Sequence, residues 1–282
     1  MTARQALEAL PRLSLRLREG TETWLWGTVL VLIAAGCYLG PFVLPLANPE
    51  ATDFANALAP VGTPGHWLGT DALGRDLLSR CLHGGRVSLT VSLGAVALGL
   101  IVGGTLGIVA GYRGGTVDAV ISRCLDVLFA FPGLVLALTV ASYLGPSLRN
   151  VTLAIAFYTV PAYARMARAG ALRVREQNFV RAAQMFGGDG WYVGTRHILP
   201  NVLFLILTYA FVLIGIAMVI EAGLSFLGLG VPPPQPSWGQ LIAMGKQDIS
   251  DAPHIALMPG AFLFVTIAAF NRLGDILQAR HA

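Results

Sequence analysis

The chain has 282 residues, of which 55% are hydrophobic and only 12% are charged, with a mean hydropathy of +0.67 and a net charge of +4. A typical soluble domain carries about 25% charged residues, so this chain is too apolar to cover itself with a water-facing surface. The arginines lie beside apolar stretches and form no basic face with interleaved aromatic residues, which argues against a nucleic-acid partner and favours membrane lipid as the surroundings.

Six stretches are apolar and long enough to cross a bilayer, which takes roughly 20 residues. They cover residues 24–46, 87–111, 126–144, 151–166, 202–228 and 255–270. The fourth is short and contains Pro161, but proline is tolerated in membrane helices when neighbours satisfy the freed carbonyl. The sequence therefore predicts an all-α, polytopic membrane protein with six transmembrane helices and both termini on one side.

The first stretch has the basic flank of a cleaved signal peptide. Its apolar run is longer than the about 7–15 residues of a signal, however, and it ends in Pro41 and Pro45 without an Ala-x-Ala site. We therefore predict an uncleaved first span.

The distribution of basic residues predicts the orientation, because the side richer in Lys and Arg faces the cytoplasm. If the termini are cytoplasmic, the other side keeps only Arg75, Arg80, Arg86, Arg149 and Lys246. We therefore predict a cytoplasmic N-terminal segment (1–23), a first span (24–46), a first outer segment (47–86), a five-helix core (87–275) that includes a second outer segment (229–254), and a cytoplasmic tail (276–282).

Small residues recur at every fourth position along the second span. They are Ala95, Gly99, Gly103, Gly107 and Gly111. This spacing puts them on one helix face, and in lipid such faces let helix backbones approach closely. The pattern predicts a groove filled by another helix, and a packing role is favoured over a ligand role.

Residues 165–187, between the fourth and fifth spans, are too polar to lie in a membrane. They predict an amphipathic helix in which Val180, Ala183 and Gln184 share a face, followed by a stop at Gly187 and its neighbour Gly188.

This region, with the residues that follow it, resembles the cytoplasmic EAA motif of prokaryotic ABC-importer permeases. The matching residues are Ala182, Ala183, Gly187, Leu199 and Pro200. Arg181 replaces the usual glutamate, and His197 replaces the usual isoleucine. The resemblance implies that residues 167–200, here called the coupling loop, insert a short helix into a cleft on a separate ATPase, with Glu176 and Val180 among the coupling residues.

Five further runs of residues, in three groups, resemble the C-type subunit of dipeptide and oligopeptide importers. They are the Gly-Thr-Asp-x-x-Gly-Arg-Asp run at 69–76, the runs at 221–233 and 236–239, and the runs at 111–115 and 131–133. The resemblance implies a type I ABC importer fold in a bacterial inner membrane. It also implies a second related permease subunit, two P-loop ATPase subunits that bind ATP and magnesium, and an external binding protein. The implied cargo is short peptides, with nickel or another small solute as the alternative.

The chain has a single lysine, Lys246, and it follows glycine in Gly-Lys-Gln rather than in a phosphate-binding Gly-Lys-Ser/Thr loop. We therefore expect no catalysis and no cofactor in this chain. An intramembrane serine protease based on Ser225 would need a base within hydrogen-bond reach, and no histidine is placed well inside a span. Cys37, Cys81 and Cys124 are too far apart to suggest a metal site or a disulfide framework.

Glu221 lies near the outer end of the fifth span. We expect it to bond the backbone or hold the following turn, whereas substrate contact or ion coupling is the alternative. Asp71, Arg75 and Asp76 are expected to cap and pair within the first outer segment. By resemblance, both outer segments, including Trp238, form the surface that receives the binding protein.

Overall fold

The computed structural model describes residues 3–279, with side chains from Gly20 onward, and this part of the chain is almost entirely helical. Its helices are α1 (Ala3–Tyr38), α2 (Leu77–Arg113), α3 (Gly115–Phe129), α4 (Gly133–Leu144), α5 (Leu148–Arg175), α6 (Asn178–Met185), α7 (Gly190–Phe226), α8 (Trp238–Gly245) and α9 (His254–Ala279). Short helical turns occupy Gly40–Val43 and Phe54–Asn56. The basic residues Arg4, Arg12, Arg16 and Arg18, and residues 280–282 of the predicted tail, lie outside the described side chains.

Four helical segments are long and apolar enough to cross a membrane: Gly20–Tyr38, α2, α7 and α9. A fifth is formed if α3 and α4 are counted as one bent span. Helix α5, which covers the predicted fourth span, carries arginines near both ends. Its crossing of the membrane, the count of six spans and the cytoplasmic termini stay predictions.

The predicted limits of the first two spans need correction. Helix α1 ends at Tyr38 rather than at residue 46, and Leu44 is extended between the two prolines. Helix α2 begins at Leu77 rather than at residue 87, because the Asp76 carboxylate caps it by accepting a 2.8 Å hydrogen bond from Ser79 N. Residues 77–86 of the predicted outer segment are therefore helical and continuous with the second span.

The predicted third span, residues 126–144, is not one straight helix. Helices α3 and α4 meet at an angle of 87° around Phe131 and Pro132. Pro132 is extended (φ −56°, ψ 134°), and its ring leaves no N–H to continue the ladder of α3. The chain therefore turns before Gly133 starts α4.

Helix α5 fills the groove that the small residues of α2 leave open. A Cβ built on Gly99 would lie 2.5 Å from Thr159 Oγ1, and one on Gly111 would lie 2.6 Å from the carbonyl oxygen of Arg168. A Cβ on Gly103 or Gly107 would overlap the backbone of α5. The two helices are also joined by a 2.9 Å hydrogen bond from Thr159 Oγ1 to the carbonyl oxygen of Ala95.

Residues Gly99–Gly103 of α2 are π-helical, but the small residues of α2 still lie on one face.

Helix α5 is also tied to α3 by Arg168, which donates two hydrogen bonds to the Asp118 carboxylate at 2.5 and 2.6 Å. Nearby, the Arg165 guanidinium lies 3.9 Å from the centre of the Phe129 ring. Helix α5 is therefore the central element that fixes α2 and α3 with respect to the coupling loop.

Candidate functional site

The coupling loop contains a break between two helices, so the single amphipathic helix predicted over residues 165–187 is wrong. Helix α5 ends at Arg175, and Gln177 is extended (φ −71°, ψ 146°) before α6 begins at Asn178. The carbonyl oxygen of Gln177 accepts the first hydrogen bonds of α6, from Val180 N and Arg181 N. This corner turns α6 away from the axis of α5.

Helix α6 presents its candidate residues to different surroundings. Val180 is fully buried, and Ala182 and Ala183 are half-buried. Gln184 follows Val180 by one helical turn and so shares its face of the helix, as predicted, but its side chain is exposed. Arg181 and Glu176 are also exposed. The small residues thus let α6 lie close to the bundle while its charged side remains open.

The helix stops where glycine permits a left-handed backbone. Gly187 has φ +84°, and Gly188 N donates a 3.0 Å hydrogen bond to the carbonyl oxygen of Ala183. This is the ending expected from glycine just past a helix C-terminus. Two large apolar side chains stand at the tip of this turn, where Met185 is 83% exposed and Phe186 is 93% exposed.

The residues that follow the turn at Gly187 form the start of α7. Asp189 caps the helix by accepting a 2.6 Å hydrogen bond from Tyr192 N. The His197 ring lies next to two aromatic rings, 6.1 Å from Phe179 and 5.6 Å from Tyr192 between centroids. His197 therefore helps to hold α6 against α7.

Leu199 and Pro200 follow on the exposed surface where the apolar part of α7 begins. Residues Gly194–Ile198 form a π-helical turn that joins the loop to α7 without an interruption. The last part of the coupling loop, from Gly190 to Pro200, and the apolar helix are consequently one continuous helix.

The charged residues of the first outer segment pair with one another. The Asp71 carboxylate accepts hydrogen bonds from Leu73 N and from both Arg75 N and Arg75 Nε, the last at 2.7 Å, and it lies 3.4 Å from Arg80 Nε. Asp76, besides capping α2, lies 3.0 Å from His66 Nδ1. The carboxylates are nearly fully buried, so their geometry is that of a local scaffold.

Glu221 is fully buried near the end of α7, and each of its carboxylate oxygens accepts a hydrogen bond. Ser225 Oγ donates to Oε1 at 2.7 Å, and Ser88 Oγ donates to Oε2 at 2.9 Å. The sequence alone did not single out Ser88, because it lies 133 positions away in another helix.

Trp238 is also fully buried at this end of the molecule. Its Nε1 donates a 2.8 Å hydrogen bond to the carbonyl oxygen of Cys81, and its ring is stacked on Phe262 at 6.1 Å. Helix α8 thus packs against α2 and α9, although the second outer segment was predicted as an external surface. Among the residues that the structure describes, no group of His, Cys, Asp and Glu could hold a metal ion.

With this geometry in place, the chain can be compared with known proteins. Residues 103–282 match the family of binding-protein-dependent transport system inner membrane components. The chain belongs to this family.

Among its relatives is a glutathione transport system permease protein of Pectobacterium atrosepticum, which is 38% identical over 252 residues, or 89% of this chain and 83% of the relative. The corresponding glutathione permease of Escherichia coli is 42% identical over 76% of this chain and 70% of its own length. A dipeptide transport system permease protein of Alkalihalophilus pseudofirmus is 41% identical with the same coverage.

These comparisons confirm the family resemblance and the inner-membrane location. This chain is a multi-pass permease subunit of an ABC importer. The family model begins at Gly103 and therefore includes α5, the coupling loop and the second outer segment.

Proposed function

We propose that this permease subunit forms half of an ATP-driven import pore for short peptides. The complete importer would contain a second related permease subunit, two P-loop ATPase subunits that bind ATP and magnesium, and an external substrate-binding protein. In this proposal the chain binds no cofactor and hydrolyses nothing, and the coupling loop carries the motion of the ATPases to the membrane helices.

The exposed tip of α6 is the observation that carries this proposal. Met185 and Phe186 are among the most exposed large apolar side chains of the described residues, and the left-handed turn at Gly187 follows them directly. Exposed apolar and aromatic residues on a preorganised element are typical of protein interfaces. An ATPase surface that covers this tip would bury both side chains without a change of fold.

The proposed half-pore is supported by a groove of about 780 Å³ between α5, α7 and α9. Its lining contains as many polar as apolar side chains, and the polar ones are Arg173, Gln177, Asn201, Thr208, Tyr209 and Gln278. A polar face on membrane helices is favourable where it lines water or meets another polar helix. A second permease subunit opposite this groove would complete a water-filled path.

The proposed cargo rests on the names of the relatives, which are permeases for glutathione and for dipeptides. Both compounds are short peptides. Peptide cargo is therefore favoured over nickel within this proposal.

The proposal is tested with the complete importer in proteoliposomes, using labelled glutathione and a labelled dipeptide as probes. Gly187→Val should uncouple ATP hydrolysis from uptake, because a β-branched residue does not tolerate the left-handed backbone of the turn. The assembled complex should still form in the membrane.

Gly145→Val is the matched control, since Gly145 has φ +81°, has open space where a Cβ would lie, as Gly187 has, and stands between α4 and α5, outside the coupling loop and both outer segments. This control should leave the ratio of uptake to hydrolysis unchanged. Normal coupling in Gly187→Val would contradict the docking role. Uptake driven by an ion gradient, without ATPases, would instead favour a secondary carrier.

A further inference from the structure

Two chains of hydrogen bonds connect the beginning of α8 to the Glu221 carboxylate. In the first, Trp238 N donates to Ser88 Oγ at 3.2 Å, and Ser88 Oγ donates to Glu221. In the second, Ser237 Oγ donates to Ser225 Oγ at 3.0 Å, and Ser225 Oγ donates to Glu221. All five residues are buried. The carboxylate therefore lies at the meeting point of α2, α7 and the start of α8.

Glycines at this point make the close approach of the three helices feasible. A Cβ on Gly85 of α2 would lie 2.5 Å from the Trp238 ring, and a Cβ on Gly239 would lie 2.5 Å from Ala222 Cα in α7. A Cβ on Gly230 would overlap the Ser225 side chain. The start of α8 is thus seated in a gap that larger residues would close.

The direction of the hydrogen bonds explains why a carboxylate occupies this position. Each serine hydroxyl has one proton, and the protons of Ser88 and Ser225 are both used toward Glu221. The acceptor must offer an oxygen on each side. A glutamine would offer an oxygen on one side and an N–H donor on the other, which leaves one serine proton without an acceptor. Buried groups left unpaired in this way are costly.

We propose that Glu221 is a positioning residue that fixes the second outer segment to α2 and α7 through Ser88 and Ser225. The N-terminus of α8, with its cap Ser237, is held as one rigid body with the two membrane helices. This goes beyond the expectation that Glu221 holds only the turn that follows it. It deepens the proposed function, on which its consequence for transport rests, because the surface offered to an external binding protein moves with α7.

Hydrogen–deuterium exchange of the complete importer in lipid nanodiscs tests the anchor without any cargo. Ser88→Ala and Glu221→Gln should each accelerate exchange in the peptide covering residues 231–245 by about tenfold, the effect of losing one buried hydrogen bond. Ser225→Ala tests the second chain independently and should have a similar effect.

Ser92→Ala is the matched control. Ser92 is buried one helical turn beyond Ser88, and its Oγ has no hydrogen-bond partner among the described residues. Its removal should leave exchange at 231–245 unchanged. The proposal is overturned if Ser88→Ala and Glu221→Gln match this control, or if they accelerate exchange equally along the contact of α2 with α5, which would indicate general loosening of the bundle.

The transport consequence is measured as ATPase activity with and without the binding protein. Glu221→Gln should lower the stimulated rate severalfold and leave the basal rate unchanged, since the coupling loop is untouched. Equal loss of both rates would contradict a positioning role. If the wild-type complex shows no stimulation at all, the proposed function fails, whereas the exchange measurement still decides whether Glu221 anchors α8.

Discussion

The tip of the coupling loop and the second outer segment are built in opposite ways. At the tip, the large side chains of Met185, Phe186 and Trp191 are 79% exposed or more. In the outer segment, Trp238 and the residues around it are buried and hydrogen-bonded within the same chain. One region leaves its apolar side chains exposed in this chain, and the other buries its tryptophan against helices of the same chain.

The difference shows that the loops of a permease are not equivalent. The outer segment is buried against α2, α7 and α9, so its stability is determined by contacts within this chain. The large side chains at the tip of the coupling loop are exposed, so they contribute little to the stability of this chain. Substitutions in the two regions should accordingly affect different measurements.

The largest difference in the free energy of unfolding is expected between variants of two tryptophans. Trp238→Ala removes a fully buried ring and should lower the free energy of unfolding in detergent by about 3–5 kcal/mol. Trp191→Ala removes a side chain that is 79% exposed and should change it by no more than about 0.5 kcal/mol. Thermal or denaturant unfolding of both variants provides the measurement. Similar losses in the two would show that the coupling loop is as self-contained as the outer segment.

A second contrast is expected between two carboxylates in ion pairs. Asp71→Asn breaks the buried pairs with Arg75 and Arg80 and should cost about 3 kcal/mol. Asp126→Asn breaks a pair with Arg165 in which both side chains are at least 60% exposed, and it should cost less than about 1 kcal/mol. Unfolding in the same detergent measures both. An equal loss in the free energy of unfolding for Asp126→Asn and Asp71→Asn would contradict this prediction.

The smallest effect should appear in assembly rather than in folding. Phe186→Ala removes the 93% exposed ring and should weaken binding of the ATPase subunits by about 2 kcal/mol while unfolding stays unchanged. Phe54→Ala, which removes a 71% exposed ring from the first outer segment, is the control and should leave ATPase binding unaltered. Co-purification or titration in nanodiscs gives the affinities. Identical ATPase affinities for the two variants would show that Phe186 is not part of the interface.

Features that depend on local pattern could be predicted from the sequence. Hydropathy located the apolar helices, spacing put the small residues of α2 on one face, and Gly187 indicated the end of α6. The helix limits that were predicted wrongly have local causes that hydropathy does not detect. Asp76 starts α2 through a side-chain cap among polar residues, and Pro132 divides a stretch that is apolar throughout.

Contacts between distant residues could not be predicted, because they depend on the packing of several helices. The partner of the small-residue face is α5, whose arginines lower its average hydropathy. The environment of Glu221 depends on Ser88 and Ser237, neither of which has a distinctive local pattern. The helix break at Gln177 could not be predicted because no glycine or proline stands beside it.

Helix α7 connects the coupling loop to the outer segment without a break. Its 37 residues from Gly190 to Phe226 extend over about 55 Å at 1.5 Å per residue, whereas the hydrocarbon layer is about 30 Å thick. One end carries the returning chain of the coupling loop, and the other lies beside Glu221 and the start of α8. A tilt applied at Gly190 therefore reaches the outer segment through a single stiff element, without a relay of separate loops.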